Sequence, residues 1–119
     1  MNSPVRIALI HAVRVAIQPV EEAFVKFWPE AERINLLDDS LSPDRERDAG
    51  LTESMFRRIN ALADCAFEAG AGGVLYTCSA FGDAIGPVYR LESPQSAVLQ
   101  LRGALEHVLN RRVPYPTTN

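Results

Sequence analysis

Three short apolar runs along the chain predict buried β-strands. Residues 5–10 (VRIALI) and 74–76 (VLY) are nearly continuously apolar, and residues 33–37 (RINLL) form a mixed but largely apolar run between them. Nearly continuous apolar runs of this length are typical of parallel strands that are covered on both faces. The first run is therefore expected to be the central strand of a small parallel sheet.

Apolar residues at helical spacing separate these runs. Pro19 suits the first turn of a helix, and Pro29 ends it. A longer helix is predicted to begin at Thr52 and to end at Gly70, where a residue without Cβ can adopt the left-handed cap. A last amphipathic helix is expected over residues 95–112. The apolar stripe of the first helix consists of Val20, Ala23, Phe24 and Phe27, and that of the long helix of Met55, Phe56, Ile59, Leu62, Ala63, Ala66 and Phe67.

The alternation of strands and helices predicts an α/β fold, a small three-layer sandwich. Right-handed crossovers would place the three strands in the parallel order 2-1-3, with helices on both faces. Residues 1–112 are expected to form a single α/β lobe, and residues 113–119 a C-terminal tail. Residues 38–50 are predicted to be a polar loop at the carboxyl end of the second strand, either a mobile surface connection or a lid.

Composition and charge exclude several classes of partner. The 119 residues carry a net charge of -3, and 47% of them are hydrophobic, as in an ordinary globular protein. This balance gives no electrostatic signature for nucleic acid or for an anionic membrane, and no apolar run approaches the length of a membrane span. The two cysteines and two histidines have no metal-ligand spacing, so no metal is expected, and a reduced, cytoplasmic setting is the simpler interpretation.

The candidate chemistry centres on the turn after the third strand, GVLYTCSAFGDAIG. Thr77, Cys78 and Ser79 are predicted at the carboxyl end of that strand, with a new helix opening at Ala80. This edge is where open α/β sheets bind ligands. Amide donors and the helix dipole would favour the thiolate of Cys78, whereas the alternative is a small buried cysteine. Cys65 is expected in the core.

Two residues of the first strand end are further candidates. His11 would face the same cleft, either as a proton shuttle or as a histidine that is hydrogen-bonded at a strand end. Arg14 could bind a carboxylate with both guanidinium nitrogens or be a solvated loop cation. The pair Arg57 and Arg58 is expected on a solvated helix face.

Four motifs of the chain belong together: the IALIH strand end, the DDSL loop, the GLT helix start and GVLYTCSAFGDAI, of which TCSxFG is the specific part. Together they resemble the aspartate/glutamate/hydantoin racemase superfamily. The resemblance implies a racemase or isomerase that needs no cofactor and acts on a small carboxylate or cyclic amide. It implies that Cys78 moves a proton at the carbon next to the carboxylate or carbonyl, and that Thr77, Ser79 and backbone amides hold the carboxylate. It covers residues 5 to about 89.

The same resemblance implies that a second lobe, with a second cysteine on the opposite face of the substrate, is missing. Inversion needs an acid and a base on opposite faces, and Cys78 supplies one. Either two chains form a homodimer around a shared pocket, or the chain is a catalytically inactive lobe that serves as a small-anion-binding or interaction module. The family subgroup carries hydroxyl residues after His11, where this chain has Ala12 and Val13.

Overall fold

The computed structural model of the chain describes residues 4–77 and 98–103. Its strands are β1 (Arg6–His11), β2 (Glu32–Leu37) and β3 (Gly73–Tyr76). Its helices are α1 (Ile17–Phe27), α2 (Leu41–Arg47) and α3 (Glu53–Glu68), with a single 3-10 turn, Arg14–Ala16, before α1. Residues 98–103 are also helical.

The three strands form one parallel sheet in the order β2-β1-β3. Ala8 is opposite Ile34 on one side and Val74 on the other. The α/β class and the strand order 2-1-3 predicted from the sequence are therefore confirmed. Because the strands are parallel, their carboxyl ends meet at one edge of the sheet.

Helices cover both faces of the central strand. On one face Ile7 and Leu9 pack against Val20, Phe24 and other apolar residues of the α1 side, with Val98 from the last helical segment. On the other face a second cluster joins α2 and α3 to the sheet; its buried members are Ala12, Leu41, Met55 and Ile59. Residues 7–10 of β1 have no exposed surface, as expected of a strand covered on both sides.

The predicted helix ends are confirmed where local chemistry determines them. α1 ends at Phe27 with Trp28 as its C-cap, because the residue before Pro29 is disfavoured in the helical region. Thr52 is the N-cap of α3, and its Oγ1 accepts a hydrogen bond from the Met55 amide at 3.3 Å. Gly70 has φ +85°, the left-handed conformation predicted for it.

Two predictions about the elements and the core were wrong. Residues 38–50 are not simply a loop, because α2 forms within them: Pro43 stands in the first turn, where it costs no hydrogen bond, and Leu41 is fully buried. Cys65 is exposed and not in the core. The buried residues of α3 are Met55, Ile59 and Ala66, whereas Phe67, expected on the apolar stripe, is 60% exposed.

Candidate functional site at the carboxyl edge of the sheet

The ends of β1 and β3 bring two predicted site residues together. His11 is the last residue of β1, and Thr77 directly follows β3. The Nδ1 atom of His11 lies 2.7 Å from Oγ1 of Thr77. The Thr77 amide donates to the Ile10 carbonyl at 3.0 Å, and its hydroxyl lies 3.3 Å from the same oxygen. The residue directly before Cys78 is therefore anchored to the central strand.

His11 is fully buried, and both of its ring nitrogens have partners. Its Nε2 atom lies 2.8 Å from Oδ1 of Asn35, on the neighbouring strand β2. Buried polar groups are normally satisfied in this way. Direct contact between the ring and a substrate would require one of these two hydrogen bonds to open.

Three residues that were not predicted as site residues extend this network: Asn35, Glu21 and Arg33. Asn35 donates through Nδ2 to the Glu21 carboxylate of α1 at 3.3 Å, and Arg33 donates to the same carboxylate at 3.3 Å. The Arg33 guanidinium also lies 5.5 Å from the ring centre of Phe24. The only signal in the sequence is the amide side chain of Asn35 inside the largely apolar run of residues 33–37.

Arg14 lies in the 3-10 turn after β1 and points to solvent. Its side chain is 78% exposed and forms an ion pair with Asp39 at 3.0 Å. Exposed pairs of this kind contribute little to stability. A substrate carboxylate at Arg14 would have to compete with Asp39, so its role in binding stays a prediction.

Arg58 is not on a solvated helix face, in contrast to the expectation. It bridges Asp38 at 3.1 Å and Asp44 at 3.0 Å, and all three side chains are mostly buried. Burial has the largest single effect on the pKa of Asp38 and raises it. Hydrogen bonds from Ser40 and Arg58, with the charge of Arg58, outweigh burial and hold the pKa of Asp38 below its ordinary value.

Replacing Arg58 with methionine is expected to lower the free energy of unfolding by about 1 kcal/mol at pH 7, because two carboxylates lose their shared cation. Asp38 has a lowered pKa in the folded state, so its contribution is complete above about pH 4 and is lost as the pH falls through the folded pKa. The difference in the free energy of unfolding between wild type and variant, measured by urea unfolding, should therefore become smaller below about pH 4.

Arg57→Met is the matched control for this prediction. Arg57 is the neighbouring residue on α3, exposed and paired only at the surface with Glu53. This change is expected to alter stability by less than about 0.5 kcal/mol. Equal effects of the two substitutions would contradict a specific role for Arg58.

Cys78 and Ser79, the other two residues of the predicted site, lie outside the described residues. So does most of the predicted last helix, residues 95–112. Within residues 4–77 and 98–103, no group of three His, Cys, Asp or Glu side chains is placed to hold a metal ion. None of the helices in this part of the chain combines the length and apolar character that crossing a membrane would require.

No protein-family model, curated protein or solved structure matches this chain. The class that the structure defines is a small α/β protein with a parallel three-stranded sheet. Its candidate site lies at the carboxyl edge, where β1 and β3 end. The resemblance to the racemase superfamily therefore enters the functional argument as a hypothesis.

Proposed function

We propose that this chain is a racemase-like or isomerase-like protein that transfers a proton through Cys78, without a cofactor, at the carbon next to a carboxylate or carbonyl. The observation that supports the proposal is the contact between His11 and Thr77 at 2.7 Å. It anchors Thr77, the first residue of the predicted TCS turn, at the edge of a parallel sheet where α/β proteins bind small ligands. The substrate would be a small carboxylate or a cyclic amide.

The proposed step is a proton transfer to sulfur. The Cys78 thiolate takes the proton from the substrate carbon as the C–H bond breaks, and the electron pair moves into an enolate stabilised by the adjacent carboxylate or carbonyl. Return of a proton from the thiol restores the C–H bond and the thiolate. In heavy water the thiol exchanges its proton, so the returned atom is deuterium.

A single cysteine serves one face of the substrate, so inversion would need a second chain. We propose a homodimer in which each chain supplies one Cys78 to a shared pocket, because closed two-fold dimers are the commonest assembly. Deuterium exchange on one face of the substrate requires no second chain. Deuterium incorporation and inversion therefore test separate parts of the proposal.

The experiment is deuterium exchange at the α-carbon, followed by NMR over a panel of amino acids, dicarboxylates and hydantoins. Wild-type protein is expected to label at least one compound, and Cys78→Ser to abolish labelling, because a serine hydroxyl is too weakly acidic to form the base. Cys65→Ser is the matched control: it removes the exposed thiol of α3 and should leave labelling unchanged.

Absence of exchange with every compound would overturn the proposal and favour the inactive lobe, a small-anion-binding or interaction module. Equal exchange by wild type and Cys78→Ser would assign the activity to a contaminant or to another residue. Sedimentation of the native protein gives the oligomeric state, and a monomer that inverts its substrate would contradict the shared pocket.

A further inference from the structure

A chain of hydrogen bonds crosses the α1-facing side of the sheet from Glu21 through Asn35 and His11 to Thr77. An ionised carboxylate only accepts hydrogen bonds, and that of Glu21 forms an ion pair with Arg33 at 3.3 Å. The Asn35 amide must therefore turn its NH₂ to Glu21 and its Oδ1 to His11. Since Oδ1 is an acceptor, Nε2 of His11 carries a proton.

The same reasoning determines where the hydroxyl proton of Thr77 goes. When the His11 ring is neutral, Nδ1 has no proton and accepts the Thr77 hydroxyl at 2.7 Å. When the ring is charged, Nδ1–H donates to Oγ1, and the hydroxyl proton turns to the Ile10 carbonyl at 3.3 Å. In both states the proton is held inside the protein, and Oγ1 has only acceptor capacity left.

We propose that Glu21 and Asn35 are positioning residues that make the Thr77 hydroxyl a hydrogen-bond acceptor toward the ligand. The site therefore takes a ligand that presents an N–H or O–H group to Thr77. This differs from the role expected from the resemblance, in which Thr77 donates to a carboxylate. The inference rests on the proposed function only in placing the ligand beside Thr77.

The first test uses ¹⁵N-edited NMR of the full-length protein to determine which ring nitrogen of His11 carries a proton. The wild type is expected to show a protonated Nε2 and a bare Nδ1. Glu21→Gln gives Asn35 a partner that both donates and accepts, so a measurable fraction of the Nδ1–H tautomer should appear. Glu22→Gln is the matched control, because Glu22 is an exposed neighbour of Glu21. It accepts a hydrogen bond from Gln18 and takes no part in the hydrogen bonds that lead to His11.

An Nδ1–H tautomer in the wild type would overturn the proposal, and so would an unchanged spectrum in Glu21→Gln. Neither result depends on turnover. If the tautomer is as expected but no deuterium exchange occurs, the proposed function fails and the positioning role of Glu21 and Asn35 stands. If deuterium exchange occurs but the wild type shows the Nδ1–H tautomer, the proposed function stands and the positioning role of Glu21 and Asn35 fails.

The second test compares aspartate with succinate, which lacks the ammonium group, by NMR titration of the amide signal of Thr77. Aspartate is expected to bind about tenfold more tightly, the size of one hydrogen bond to a charged group. Thr77→Val should remove this preference, and Thr77→Ser should restore it. Equal affinities in the wild type, an unchanged preference in Thr77→Val or no binding by either compound would overturn the acceptor role.

Discussion

Replacing Phe24 with alanine is expected to lower the free energy of unfolding by about 3–5 kcal/mol, the largest effect of any single change considered for this protein. Phe24 has no exposed surface and lies in the cluster between α1 and the sheet. Its ring stacks on Trp28 at 5.9 Å between centroids and lies under the Arg33 guanidinium. The substitution would remove apolar area and leave a cavity that close-packed neighbours fill only partly.

Urea unfolding followed by circular dichroism measures this change, and Val25→Ala is its control. Val25 is the next residue of α1 and is 62% exposed, so its truncation should change stability by less than about 0.5 kcal/mol. A Phe24→Ala variant that loses less than about 1 kcal/mol would contradict the packing of α1 against the sheet.

Replacing His11 with leucine is expected to cost about 1–3 kcal/mol, because hydrogen bonds to Thr77 and Asn35 are lost at a fully buried position. Leucine has a similar volume, so the effect reports mainly on polar contacts. Under the proposed function, labelling of the substrate in heavy water should also slow, because Thr77 loses the partner that orients its hydroxyl.

The matched variant is His11→Gln, whose side-chain amide can still donate and accept. In thermal unfolding, the midpoint temperature of His11→Gln should lie between those of the wild type and His11→Leu. If His11→Leu is as stable as the wild type, the hydrogen-bond chain contributes nothing to the fold. If it is destabilised but labels substrate at the wild-type rate, His11 has a structural role only.

Much of the fold follows from local sequence. The apolar run of β1 requires cover on both faces, so it predicts a central parallel strand. Thr52, Pro29 and Gly70 mark helix ends through properties of single residues: a capping oxygen, a ring that restricts its predecessor and a missing Cβ. The helix α2 was not predicted, because its one buried apolar residue, Leu41, gives no periodic pattern.

The candidate site was only partly predictable. Strand ends place His11 and Thr77 at the same edge of a parallel sheet, and both follow from the apolar runs that precede them. Asn35 and Glu21 could not be found in this way, because they lie 24 and 10 residues along the chain from His11 and meet it only through the packing of β2 and α1.

The amino-acid sequence by itself determined the three strands, the helices α1 and α3, the strand order and the edge at which chemistry is to be sought, since these depend on short-range patterns and on the handedness of crossovers. Only the tertiary structure decided which polar groups meet: His11 with Asn35, Arg58 with Asp38, and Cys65 with solvent. Such contacts depend on the register between strands and the rotation of helices against the sheet, which distant parts of the chain set together.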